Sequence, residues 1–301
     1  MKLIKPSFEI WEQSAGLEGV YKQIEKVGRV CYKSEDKITE DSAKPFVDRM
    51  IKSGHGAMLE HGTVYLQYEV VKGAINPLTK YYLNKYSKVK AKEGAIGETM
   101  RLFVTTNLRV LVENGWLDDL QYICEPTEYH ERRVTVHFVC DRGVSHEFVR
   151  HRVMSFAQES TRYCNYSKDK FGNELTFIIP CWLDVPTGHY AYWDGDWCDI
   201  DKMKIQLPEG EHKDIDAFLW TLNNAETHYT LLINSGWKPQ EARAVLPNSL
   251  KTELVVTGFT SDWNHFFDLR ARGTTGAPHP QAKELAEPLM KEFIARKYID
   301  N

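Results

Sequence analysis

No cysteine pair spaced C-x-x-C, no glycine loop of the form G-x-G-x-x-G or G-x-x-x-x-G-K-[ST], no apolar run of membrane-crossing length and no surplus of positive charge occur in this 301-residue sequence. Each absence removes a class. Without paired cysteines, neither a zinc knuckle nor a disulfide framework is indicated, and Cys31, Cys124, Cys140, Cys164, Cys181 and Cys198 read as reduced thiols, mostly core fillers. Without a glycine loop, any dinucleotide must bind outside a Rossmann unit. Lys+Arg 38 against Asp+Glu 42 gives a net charge of −4, so no global positive field recruits nucleic acid or an acidic membrane, and an anion site must be local. The opening MKLIKPSFEIWEQ lacks the apolar segment and cleavage site of a signal peptide, so a cytoplasmic address is expected. What is present is ordinary globular material: 42% hydrophobic, 27% charged and 12% aromatic residues, enough for a substantial core.

Leu17, Val20, Tyr21, Ile24, Val27 and Cys31 recur at helical spacing, and a second helix follows through Phe46, Val47, Met50 and Ile51, with Gly54 placed as its left-handed stop. GHGAMLEH then forms a turn. The period changes to two at Val64, Leu66, Tyr68 and Val70 and again at Val134, Val136, Phe138 and Cys140, predicting two strands that neighbour each other in one sheet. Between them a helix is expected around Leu108, Leu111 and Val112. Helical spacing through Val144, Phe148 and Val149 runs into Arg150-His151-Arg152, and a loop and the apolar run Leu175 to Ile179 come next. The Trp- and Pro-containing stretch after Pro180 reads as an irregular excursion. The strongest helix spans Ile215 to Ile233 and stops near Gly236, and a short one lies between Pro239 and Pro247. Leu254 to Val256 suggests a strand, Ser261 or Asp262 caps a helix to about Arg270, and a final helix carries Leu285, Leu289, Phe293 and Tyr298. Separated, non-alternating strands among helices favour an α+β fold with a mixed or antiparallel sheet and packed helices.

The densest chemistry lies in HEFVRHRVMSFAQESTRY, residues 146 to 163. Arg150, Arg152 and Arg162 near the hydroxyls of Ser155 and Ser160 suit a phosphorylated ligand, because guanidinium grips phosphate bidentately and stays charged. The same residues are equally consistent with a solvated basic turn or salt bridges between subunits. A zinc-protease reading of His146-Glu147 fails because His146 and His151 are five apart and diverge on a helix, and His55 with His61 has no helical metal spacing, so no metal is expected. Ser155 and Ser160 lack G-x-S-x-G context, and Cys164 has no base that sequence reveals. Arg243, between two prolines and beside Ala242, Ala244 and Val245, either faces a pocket or snorkels at the surface. Arg270 ends an aromatic helix, where a cation is favourable in any case.

With those residues in view, Arg150-His151-Arg152, seven residues and then Ser160-Thr161-Arg162-Tyr163 resembles the signature of the flavin-dependent thymidylate synthases. GHGAMLEH at 54 to 61, EARAVLP at 241 to 247, and DLR at 268 to 270 followed by His279 and Gln281 occur in the order that family requires. The resemblance implies one domain over 1 to 301 with insertions at about 67–133 and 183–210. It implies reductive methylation of dUMP to dTMP, with methylenetetrahydrofolate as carbon donor and NADPH-reduced FAD as hydride source. A homotetramer sharing its FAD sites between subunits is implied as well, with neither nucleic acid nor membrane as partner.

Carried over by position, the resemblance makes Arg270 the catalytic cation beside the uracil. Glu147, Phe148, Val149, Arg150, Gln158, Glu159, Ser160, Thr161, Arg162, Arg243 and Arg270 would surround dUMP. His55, Ala57, Arg150, His151, Arg152, Gln158, Phe259, Thr260, Ser261 and His265 would contact FAD. Several positions depart from the family pattern: Ala57 stands where many relatives have Thr, Glu147 and Gln158 replace residues that are often Gln and Glu, and Phe259-Thr260-Ser261 lacks the Asn and Arg frequent there. A module that kept the nucleotide site and lost catalysis is the alternative reading.

Overall fold

A computed structural model describes residues 1–71, 79–93, 99–193, 196–200 and 213–300. Parts of both expected insertions, and the glycines of GAIGE at 94 to 98, lie outside the described residues.

In chain order the elements are β1 (Lys2–Ile4), β2 (Ser7–Trp11), α1 (Gly16–Tyr32), α2 (Ala43–Lys52), α3 (Gly56–Leu59), β3 (Thr63–Val71), α4 (Thr79–Tyr82), β4 (Lys88–Glu93), β5 (Thr99–Asn107) and α5 (Leu108–Asn114). The second half adds β6 (Arg133–Asp141), α6 (Arg142–Phe148), β7 (Ser155–Gln158), β8 (Thr176–Ile178), β9 (Gly188–Trp193), β10 (Asp196–Asp199), α7 (Lys213–Asn234), α8 (Pro239–Ala242), β11 (Lys251–Phe259), α9 (Thr260–Phe267) and α10 (Pro280–Ala295). The class is α+β, as expected.

Three sheets organise the described residues, in the orders β2-β6-β11-β7, β3-β5-β4 and β10-β9-β1-β8. The first is antiparallel throughout and central. Alternation along its strands sends Ile10, Val136, Phe138, Leu254 and Val256 to one face, where α6, α9 and α10 supply Phe148, Trp263, Phe266, Leu289 and Phe293. Trp11, Ala157 and Val255 point the other way and meet Val27 and Val30 of α1. Burial of these side chains on both faces makes the sheet a rigid platform between two helical layers.

Several expectations change. β3 and β6 are not neighbours: β3 pairs with β5 along nine residues, and both edges of β6 are taken by β2 and β11. The stretch expected as an insertion thus supplies β4 and β5, which complete a sheet packed on α1 and α2. The excursion after Pro180 is a β9–β10 hairpin paired to β1, with Tyr190 and Trp197 in the core under α7. GHGAMLEH contains the single-turn helix α3, reached through Gly54 at φ 71, a conformation that glycine adopts without strain. α9 begins at Thr260 rather than after Ser261 or Asp262, because the Asp262 carboxylate accepts the Phe259 N–H at 3.2 Å from inside the first turn. α10 ends at Ala295, and Tyr298 beyond it donates to Glu12 at 2.7 Å. Of the six thiols only Cys140 and Cys164 are buried, and Cys181 is exposed.

Candidate functional site

The chain leaves β6 at Asp141, whose carboxylate accepts the Val144 N–H at 2.8 Å and caps α6. The other oxygen accepts from Gln281 Nε2 at 2.8 Å, which ties the start of α10 to the start of α6. α6 ends at Phe148, whose fully buried ring meets Phe138 at 5.1 Å and Phe266 at 4.9 Å. Phe148 is therefore a core anchor and can offer a ligand only its backbone. Because that ring is fixed, Glu147, Val149, Arg150 and His151 leave the helix end in set directions.

Facing them, a π-helical turn at Asp268–Arg272 continues α9 and presents Arg270. Its guanidinium is held on three sides: Nη1 donates to Glu147 Oε2 at 2.6 Å, Nη2 to the Glu147 carbonyl at 2.8 Å and Nε to His151 Nε2 at 3.3 Å. Arginine only donates, so that His151 nitrogen carries a lone pair. Burial, then the charges of Arg270 and His265, lowers the His151 pKa to about 4. The imidazole packs 5.0 Å from the Phe266 ring and 5.9 Å from His265. Burial also lowers the Arg270 pKa, with Glu147 opposing the shift and Arg150 adding to it. A cleft of about 480 Å3 opens here, lined among others by Glu147, Arg150, Arg270, Thr275, Pro278 and His279. Its loop turns at Gly273, φ 72, where a Cβ would stand 3.0 Å from the Gly276 carbonyl. Among the described residues, Arg150 and Arg152 are exposed cations with no ion-pair partner.

A second group hangs on β7, the strand that replaces the loop expected after Arg152. Gln158 Nε2 donates to Ser145 Oγ at 2.8 Å and to Thr252 Oγ1 at 3.2 Å, which links β7 to the helix that carries Glu147. Glu159 turns inward and is committed: it accepts from Tyr166 Oη at 3.0 Å and Lys251 Nζ at 2.8 Å. Beyond it, Ser160 donates its N–H to the Cys31 carbonyl at 3.0 Å, and its hydroxyl accepts the Arg162 N–H at 3.3 Å. Arg243 Nη1 donates to Thr161 Oγ1 at 3.1 Å, and Arg162 is exposed beside the Tyr163 ring. EARAVLP and the Ser160 block therefore meet in space across 82 residues of sequence.

The remaining positions lie apart. His55 and Ala57 are exposed on the turn into α3, on the α1 side of the central sheet, whereas His151, His265 and Arg270 occupy the α9 side. Phe259, Thr260 and Ser261 sit at the end of β11, where the Arg133 guanidinium stands 5.5 Å from the Phe259 ring and the Thr260 N–H donates to the Arg132 carbonyl at 3.0 Å. Sequence reasoning missed Arg132 and Arg133, whose only signal is a basic pair opening an apolar alternation, and Ser145 and Thr252, which have no signal outside the fold.

For chemistry, the arrangement offers a half-buried cation lining a cleft, a buried neutral imidazole bonded to that cation, and, at the end of β7, exposed guanidinium groups with a serine hydroxyl. A thiol nucleophile has no support: burial raises Cys31 to about 11 and Cys164 to about 12 and pushes Cys140 higher still. Among the described residues no three His, Cys, Asp or Glu side chains converge as a metal set, and no helix is long and apolar enough to cross a membrane.

The sequence model of the family described as thymidylate synthase complementing protein matches residues 126–296. Curated relatives include a flavin-dependent thymidylate synthase of Pyrococcus furiosus, 31% identical over 160 residues that make up 53% of this chain and 53% of that protein. Another, from Corynebacterium aurimucosum, is 22% identical over 284 residues, 93% of this chain and 78% of that protein. The chain spans about half the length of most of the curated relatives it matches. Among solved structures, a UMP/dUMP methylase of Streptomyces cacaoi bound with 5-Br dUMP is 18% identical with a TM-score of 0.43, covering 98% of this chain and 93% of that one.

Proposed function

We propose, since this chain belongs to the thymidylate synthase complementing protein family, that it catalyses the reductive methylation of dUMP to dTMP as an FAD-dependent methyltransferase, with methylenetetrahydrofolate and NADPH as co-substrates. The observation that carries this reading is Arg270, a guanidinium held by Glu147 and His151 at the mouth of a cleft that also exposes Arg150. Making C5 of the uracil nucleophilic spreads negative charge over the ring, and a pre-positioned, partly desolvated cation stabilises it without reorganising. Neutral His151 leaves the positive charge on Arg270 undivided.

The phosphate of dUMP falls to Arg162, Arg243 and the Ser160 hydroxyl, with charge-assisted bonds of the strong kind. Gln158, locked by Ser145 and Thr252, sets the edge of that site and ties it to the helix that ends at the Arg150 and Arg270 cleft. FAD fits the residues present: Arg150 and Arg152 are available for its diphosphate, and His265 beside His151 for its ring. When bound, the flavin supplies hydride and carries the one-carbon unit. The separation of His55 and Ala57 from His265 within one chain supports a homotetramer whose subunits complete each other's flavin sites. Free thiols support a cytoplasmic location. The whole chain acts in this reading as one domain.

The test is anaerobic incubation of the purified protein with FAD, NADPH, methylenetetrahydrofolate and dUMP, each omitted in turn, with mass detection of dTMP. Product that needs every component is expected. Folded, flavin-bound protein that binds dUMP and yields no dTMP would establish the inactive nucleotide-binding module instead.

A further inference from the structure

Trp182 has no part in the arrangement above. It stands in the loop between β8 and β9 and is 59% exposed, while Leu183 and Val185 beside it pack into the core between the β10-β9-β1-β8 sheet and α7. Exposure of one indole is ordinary; what sets this one apart is where its ring is held. Its ring meets His279 edge to face, centroids 6.0 Å apart and planes at 77°. His279 precedes α10 and lines the cleft of Arg150 and Arg270. The β10-β9-β1-β8 sheet thus delivers, through one loop, an aromatic surface to the rim of a cleft that is otherwise built by the helix ends and the loop on the α9 side of the central sheet.

The cleft's own lining is rich in charge and poor in flat apolar surface: Glu147, Arg150, Arg270, Leu269 and a Thr-Gly-Ala-Pro turn, with His279 as its single aromatic ring. Cations there can hold an anionic group, and a planar heterocycle additionally needs a π surface, which Trp182 provides. We propose that Trp182 is the outer stacking wall of this cleft and receives the flat nitrogen heterocycle of an anionic co-substrate, a nicotinamide or a pterin, as it enters over Arg150 and Arg270. The identity of the two candidate rings rests on the thymidylate synthase reading; the stacking position itself does not.

The experiment measures equilibrium binding of NADP+ and of tetrahydrofolate, separately and without turnover, to FAD-loaded wild type, Trp182→Ala and Trp182→Phe, with dUMP as control. Trp182→Ala is expected to weaken one of the two ring ligands by roughly five- to hundredfold, the effect of removing one stacked ring. Trp182→Phe should recover most of that loss, dUMP should bind unchanged, and the ligand that loses affinity identifies the ring. Binding of both ring ligands within twofold of wild type in Trp182→Ala overturns the proposal. So does failure of wild type to bind either ring, or an equal loss of dUMP binding, which marks a collapsed cleft. Absence of dTMP from the complete wild-type mixture would defeat the functional reading, and the binding measurements would still decide Trp182.

Discussion

Arg270 Nε points at His151 Nε2 across 3.3 Å, and because the arginine can only donate, the histidine is fixed in its neutral form with that nitrogen bare. Burial, and then Arg270 and His265 beside it, enforces the same state, with the His151 pKa lowered from 6.5 to about 4. His61, fully buried with Nδ1 2.8 Å from Thr257 Oγ1, is lowered to about 3 by burial and then by Arg133.

Stability follows with a definite sign. Between pH 6.5 and about 4 the unfolded chain binds protons at these positions and the folded chain does not, so stability should be full above pH 6.5 and fall as the pH drops through that window. Urea unfolding at pH 7.5 and pH 5 measures it. His151→Asn, which removes one titrating group, should show a shallower loss; an unchanged pH slope would mean that His151 is not held neutral.

Arg270→Ala should leave the fold intact and lower dTMP formation by roughly a hundred- to thousandfold, the usual cost of one transition-state donor. Steady-state rates with dUMP varied are the check. Near-normal turnover removes Arg270 from the chemistry, and a raised KM with unchanged kcat moves it to ground-state binding.

Arg162 and Arg243 are exposed and should contribute to dUMP rather than to folding. Substituting either by Ala is expected to weaken dUMP by about 1.5–3 kcal/mol, the range for a charged hydrogen bond, at an unchanged melting temperature. Calorimetric titration separates the two, and an unaltered dissociation constant takes the residue out of the phosphate site.

Lys251 links two carboxylates, reaching Glu159 at 2.8 Å and Glu253 at 2.5 Å, and Lys33 reaches Glu253 at 2.7 Å. Burial alone would raise Glu253, but the His137 hydrogen bond and the two lysines hold it well below the usual carboxylate range. Lys251→Met leaves both acids short of a partner and should cost about 3 kcal/mol in urea unfolding, as broken buried pairs do. Glu159→Gln in the same chain should restore part of it. A loss below about 1 kcal/mol would reduce the network to surface strength.

What could be read beforehand follows from length and periodicity. α1, α7, β6 and β11 carry long apolar patterns of their own, and the Arg150 and Arg270 blocks are dense enough in chemistry to stand out. β7 could not be read, because Ser155-Phe156-Ala157-Gln158 becomes a strand only by pairing with β11. The β9–β10 hairpin was obscured by its dense aromatic content and by Pro180 and Pro186 just before it, and β1 is too short to show a period. Within the site, residue identities were legible, whereas the bonds that orient them, Gln158 to Ser145 and Arg270 to His151, join segments whose proximity only the tertiary fold creates. The displacement of Phe148 into the core shows the converse: a motif position can serve by anchoring its neighbours.

β7 also turns the stretch from Arg152 to Ser160 into a ruler. Pairing sets Gln158 opposite Leu254 and Ser155 opposite Thr257, so odd and even residues are assigned to opposite sides of the sheet. One residue removed here would turn Gln158 toward α1, into the place where Ala157 meets Val255 and Val30, and one added would put Ala157 against Ser145. Length in this segment is thus as informative as residue type: chains descended from this one can drift in composition between Arg152 and Ser160, but a change of even one residue in the count should be lethal to the site.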